Sequence, residues 1–249
     1  MPEWLQAGGW GLLAGSALLI GAAVGFFARV PRGMIASIMA FGAGVLLSAV
    51  SFELIAEAHE QGGLLATSLG AAGGALAYTG ANVLLARHGA RHRKRSGEEQ
   101  PSEQEQPGSG SAIAVGALLD GVPESVVIGA SLLAGGPVSL VTVVAVFLSN
   151  VPEGLSSAAG MRRAGRTKRY VFLLWTGIAL ISGLAALAGY TLLGGAPPEV
   201  LAGITALAAG AILAMITDTM VPEAFEDAHL LVGLITVAGF LTAFALSHA

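Results

Sequence analysis

The 249 residues are 54% hydrophobic and only 11% charged, with a mean hydropathy of +0.75. Ordinary soluble domains carry about 25% charged residues, so too little polar surface remains here to clothe a soluble core. With no cysteine, disulfides and thiolate metal sites are excluded, and a net charge of −4 argues against nucleic acid as a partner.

The start, Met1-Pro2-Glu3-Trp4, lacks the basic region of a signal peptide, so the first apolar run is expected to remain as a span. A bilayer core takes about 20 apolar residues per helix. Eight such runs follow one another, near 10–29, 34–58, 63–87, 111–134, 138–160, 170–193, 200–220 and 229–248. The expected fold is therefore all-α, one integral membrane domain over 1–249. Gly135-Gly136-Pro137 reads as a tight turn that makes the fourth and fifth runs a hairpin. Segment 88–110 mixes charge, Pro, Ser and Gly without an apolar period and reads as a disordered loop. The 36 glycines suit helices whose backbones approach closely in lipid.

The Lys and Arg residues fall in three places: after the first run (Arg29, Arg32), after the third (Arg87 to Arg95) and after the fifth (Arg162 to Arg169). With eight spans those loops share one side, the cytoplasm by the positive-inside rule. Both termini then face outward in a multi-pass cell-membrane protein. Trp4 and Trp10 read as interface anchors.

The second and seventh runs share a pattern: Gly44 aligns with Gly210, and Glu57-Ala58 with Glu223-Ala224. Val122-Pro123-Glu124 likewise matches Val151-Pro152-Glu153. In the expected topology each matched pair runs in opposite directions, which predicts inverted repeats, spans 1–3 and 6–8 around the 4–5 hairpin.

An ionisable group at membrane depth costs about 2.5–3.5 kcal/mol or more, and usually faces the bundle interior. Asp120 and Glu124 lie one turn apart on one face of the fourth span. Ser149, Asn150 and Glu153 present oxygens on the fifth. Pro123 and Pro152, expected to kink their helices, free the carbonyls of Leu119 and Leu148. Together these groups form an all-oxygen cage suited to a divalent cation. The alternative is that the carboxylates only cap or pair within the bundle, but the predicted spans carry no Lys or Arg away from their ends to neutralise them. Glu53 and Glu57 near one end, and Asp218 and Glu223 near the other, read as vestibule groups. His88 and His92 read as a solvated loop face, and His59, His229 and His248 carry no assignment.

The two Pro-Glu motifs, Asp120-Gly-Val-Pro-Glu-Ser125 and Ser149-Asn-Val-Pro-Glu-Gly154, resemble those of the Zrt-, Irt-like protein (ZIP) family of divalent metal transporters. The resemblance covers all eight runs. It implies Asp120, Glu124, Asn150 and Glu153 as metal ligands, with Ser149 as a weaker one. It also implies a transport protein rather than an enzyme, with zinc as the favoured cargo and manganese, iron or cadmium as alternatives. The family's fourth span typically reads His-Asn-x-Pro-Glu-Gly; here Asp120 and Gly121 replace the His and Asn, and the sixth run carries no acid. A single, mainly oxygen site is expected. Two other classes stay open: a metal sensor or ion channel, and an intramembrane aspartyl protease pairing Asp120 with Asp218. Gly70, Gly73 and Gly74 leave a homodimer face open.

Overall fold

The structure is a computed structural model that describes residues 1–134, 138–228 and 230–248; the expected turn at 135–137 and His229 lie outside them. Helix α1 spans Glu3–Phe27 and starts after Pro2, whose missing N–H costs nothing at a helix start. Its last carbonyls are closed by α5, because Arg162 Nη1 donates to Phe26 O at 2.8 Å and Ala28 O at 3.0 Å. Helix α2 (Arg32–Ala49) passes through a π-helical turn, Val50–Ile55, into α3 (Ala56–Leu85) and a second π turn, Ala86–Ala90. Helix α4 (Ser109–Ala130) ends in a 3₁₀ turn, Ser131–Ala134. Helix α5 (Leu140–Arg163) and α6 (Lys168–Leu193) are N-capped by Ser139 and Thr167, whose side chains accept from the Thr142 and Tyr170 N–H. Helix α7 (Pro198–Met215) continues through a π turn, Ile216–Met220, into α8 (Val221–Ala228), and α9 is Val232–Ser247.

Among the described residues, six helical runs are long and apolar enough to cross a membrane: Glu3–Phe27, Arg32–Ala90, Ser109–Leu133, Leu140–Arg163, Lys168–Leu193 and Pro198–Glu226. Val232–Ser247 is a shorter apolar helix. Leu64, Leu65, Leu69, Leu76, Leu184, Leu192 and Leu234 stay exposed, as suits a surface in contact with lipid rather than water. The second run is 59 residues long, but it is not one rod. Gly63 breaks it with φ 70° and ψ 178°, a conformation open essentially to glycine alone. Gly42 of α2 packs on Ser149 and Pro152, and Glu53 reaches Ser139, so α2 runs antiparallel to α5. Tyr78 of α3 meets Asp120, and Ala90 lies by Gly116, so α3 runs antiparallel to α4. Because Ser139 N donates to Ser131 Oγ at 3.2 Å while Lys94 bridges Asp120 and Glu153, α4 and α5 are themselves antiparallel. The chain therefore reverses at Gly63.

Glycine sets the helix spacing. A β-carbon on Gly74 would sit 1.8 Å from Leu207 O, and one on Gly210 1.9 Å from Ala71 O, so α3 and α7 touch backbone to backbone. The pair α2 and α9 repeats this, with Gly44 against Thr236 O (1.9 Å) and Gly239 against Phe41 O (2.1 Å). Gly70 also packs on α7, whereas Gly73 has nothing within 4 Å. Two of the three glycines left open for a dimer face are thus used inside the chain.

Segment 88–110, whose composition predicts disorder, departs from that expectation. Arg93, Lys94, Ser96 and Gln100 are buried in the bundle. Gln100 Nε2 holds the carbonyls of Arg93, Arg95 and Ser157, and Ser156 Oγ donates to Lys94 O at 2.6 Å. The segment's first part, Arg91 to Arg95, is basic where the bundle interior is acidic, and Arg93 and Lys94 pair with acids there, an attraction that composition alone does not record. Nearer α4, Arg166 donates to Glu103, which also accepts the N–H groups of Gly108 (2.6 Å) and Gly110 (3.1 Å). The Arg166 guanidinium first, then these N–H groups, hold the Glu103 carboxyl below its ordinary 4.5, at about 2. A carboxylate with a depressed folded pKa stabilises the loop above about pH 4.5 and loses that contribution as pH falls toward 2. Amide exchange should therefore show Gly108 and Gly110 protected near pH 5.5 and released near pH 2; unchanged protection would exclude the Glu103 contact as their anchor.

Candidate functional site

The chemistry gathers where α3, α4, α5 and the 91–100 segment meet. Both α4 and α5 remain α-helical across Pro123 and Pro152. They carry Asp120, Glu124 and Glu153 inward, at 2%, 1% and 4% exposure. Arg93 supplies what the spans lack. Its Nε donates to Asp120 Oδ2 at 2.8 Å and its Nη2 to Asp120 Oδ1 at 2.7 Å, a two-point pairing that matches a planar guanidinium to a carboxylate. The same guanidinium donates to Tyr78 Oη, Asn82 Oδ1 and the Ala90 carbonyl, so its donors are used up. Tyr78 Oη in turn donates to Asp120 Oδ1 at 2.7 Å.

Lys94 is held differently. Its Nζ lies 2.8 Å from Glu153 Oε1 and 3.3 Å from Asp120 Oδ2, two ion pairs without the planar two-point fit that holds Arg93. Glu124 lies within electrostatic range of Glu153, Lys94 and Asp120, yet its buried Oε1 has no hydrogen-bond partner among the described residues. The prediction that nothing basic neutralises these carboxylates is corrected here: the cations come from the loop, not from a span. The signal was present in the sequence as five basic residues, Arg87 to Arg95, directly after a span that faces buried acids.

The other two expected ligands each place their donor on a backbone carbonyl. Asn150 Nδ2 donates to Ala14 O at 2.9 Å and ties α5 to α1, and Ser149 Oγ donates to Val146 O within its own helix. Among the described residues no group of three or more His, Cys, Asp or Glu side chains is arranged to hold a metal ion.

Two clefts flank the carboxylates. One, of about 280 Å³, opens at the end where α4 finishes and α5 and α7 begin; Glu57, Gln61, Ser131, Thr142 and Thr205 give it polar lining. Glu53 sits nearby and accepts from Ser139 Oγ at 3.3 Å. The second, of about 210 Å³, lies at the loop end between Arg91, His92, Lys94, Arg95, Asp218, Thr219 and Pro222. Asp218 is exposed there, 3.4 Å from Asn82 Nδ2. Glu223 is not a vestibule group: it is buried and accepts from Ser96 N (2.9 Å) and Ser156 Oγ (2.7 Å). Arg95 reaches it at 3.7 Å and also pairs with Glu226. Glu223 therefore anchors the loop. Glu53 and Asp218 both stand in π-helical turns, a local widening common at functional sites that no sequence pattern announced. Comparison of the chain with models of known protein families and with curated proteins returns no match.

Proposed function

We propose that this chain is a multi-pass carrier of divalent metal cations across the cell membrane, of the ZIP type. The observation that carries this reading is the stack of three buried carboxylates, one with an unpartnered oxygen, between polar clefts that open toward opposite ends of the bundle. Such groups are too costly at membrane depth to be retained for packing alone. Zinc is the first candidate cargo, with manganese, iron or cadmium next, since oxygen ligands also suit harder ions. The cation enters past Glu57, is bound between Glu124 and Glu153, and leaves past Asp218. Asp120, committed to Arg93, orients the site more than it binds cargo.

Counting the reversal at Gly63 and the short α9, the chain makes eight crossings, with both termini outside and segment 88–110 in the cytoplasm. The inverted repeat is supported by packing. Gly44 on Thr236 answers Gly210 on Ala71, Gly239 on Phe41 answers Gly74 on Leu207, and each half carries a π turn. Access alternates as those repeated helices move against the α4–α5 hairpin.

A sensor or channel is the second reading, favoured by Arg93 and Lys94 lying among the carboxylates. A protease pairing Asp120 with Asp218 is disfavoured, because such carboxylates share a proton at about 3 Å and here the Arg93 guanidinium and Asn82 amide stand between them.

Uptake of Zn²⁺ and Mn²⁺ into dye-loaded proteoliposomes tests the reading. Saturable influx is expected in the wild type, and the Glu124→Ala, Glu153→Ala protein should lose it to background. Normal influx in the double variant would remove these residues from the route. Saturable binding without influx in the wild type would favour the sensor.

A further inference from the structure

Arg93 and Lys94 are adjacent cations in one carboxylate cluster, yet they are held in contrasting ways. Arg93 is fixed by Asp120, Tyr78, Asn82 and the Ala90 carbonyl. Lys94 is held by its ion pairs with Glu153 and Asp120 alone, while its carbonyl accepts from Ser156 and Gln100 holds the carbonyls on either side. Lys94 is also among the residues that line the loop-end cleft, where the exposed Asp218 offers its ammonium group a second place to rest.

Charge balance then says what can replace it. Asp120, Glu124 and Glu153, when ionised, exceed Arg93 and Lys94 by one negative charge. If Lys94 leaves and Arg93 stays, a single divalent cation makes the site neutral. A monovalent cation in the same exchange gains nothing, because it restores only the charge that Lys94 already supplied. Uncompensated charge in a low-dielectric interior is strongly disfavoured, so this arithmetic discriminates by valence.

We propose that Lys94 is a displaceable, tethered occupant of the binding site. It swings from Glu153 to Asp218 when a divalent cation arrives, while Arg93 remains as a permanent counter-charge. This rests on the carrier reading above and adds to it the valence of the cargo and an internal competitor for its site.

Equilibrium binding of Mn²⁺ to the detergent-purified protein, by titration calorimetry, tests the exchange. Removing the competitor in Lys94→Met is expected to tighten Mn²⁺ binding by about tenfold or more, since the competent state no longer has to be vacated. Lys94→Arg, which keeps the charge and adds donors, should bind Mn²⁺ more weakly than wild type. Asp218→Asn should weaken Mn²⁺ binding clearly more in the wild-type background than in Lys94→Met, because only in the former does it also remove the resting place of Lys94. An excess of Na⁺ should not shift the Mn²⁺ isotherm.

Unchanged or weaker Mn²⁺ binding in a folded Lys94→Met would overturn the exchange, and if wild-type transport persists the carrier reading stands without it. If Lys94→Met does not fold, Asp218→Asn decides the matter alone: undiminished affinity overturns the proposal. Absence of Mn²⁺ binding and of transport in folded wild type and folded Lys94→Met would overturn both.

Discussion

Asp120→Ala should destabilise the protein by about 3–5 kcal/mol, the usual cost of leaving one partner of a buried ion pair without the other. The variant strands the Arg93 guanidinium at 2% exposure, with Tyr78 Oη and Asn82 Oδ1 unable to replace a carboxylate's charge. The companion is the double variant Asp120→Leu, Arg93→Met, which removes both charges. It should recover most of the loss, because apolar groups of similar volume often replace a buried pair at little cost. Denaturation in detergent, followed by helical circular dichroism, reads both. A loss under about 1 kcal/mol for Asp120→Ala would mean that Arg93 escapes to water, and the segment would then be a loosely held loop rather than part of the bundle.

Gly74→Ala is expected to be costly for a different reason. The added methyl would lie 1.8 Å from Leu207 O, a backbone atom that cannot rotate away, so α3 and α7 must separate. Overpacking of this kind costs about 1–3 kcal/mol and sometimes more. Gly73→Ala, one residue along the same helix and with nothing within 4 Å, supplies the control. There the substitution should be neutral or stabilising by up to about 1 kcal/mol, since alanine is the better helix former. The thermal unfolding midpoint should fall for Gly74→Ala and hold or rise for Gly73→Ala. Equal shifts would show that α3 does not rest on α7 through Gly74.

These contrasts bear on how much the sequence discloses. Membrane-length helices were legible because twenty-residue apolar runs have no soluble use, and the observed helices overlap the predicted runs. The break between 58 and 63 was legible too, although its cause is a single glycine conformation. Helix α8 was partly missed, since the run was expected to end at 220. It continues because Glu223 and Glu226 are satisfied by Ser96, Ser156 and Arg95, partners remote in sequence. Asp120, Glu124 and Glu153 could be chosen from their burial cost alone. What could not be read was how the loop folds back. Composition reports average solvation, whereas the position of Arg93 and Lys94 follows from three acids that meet only after the helices pack. Asn150 and Ser149 add contacts that the sequence does not announce: their donors go to the carbonyls of Ala14 and Val146, which fixes how their oxygens are presented.

Gly63 has a consequence for insertion that exceeds its size. Fifty-nine residues in one α-helix would make a rod about 90 Å long, roughly three bilayer cores end to end. Folding that rod at one residue yields two lengths, each commensurate with a membrane. In the multi-pass arrangement proposed above, it would also set the parity of everything downstream, because a chain that failed to reverse there would carry Arg87 to Arg95, and the acids they serve, to the opposite leaflet. A side chain at this position that penalises φ near 70° thus threatens the sidedness of the whole protein, a failure visible as misplaced epitopes rather than as a lowered melting temperature.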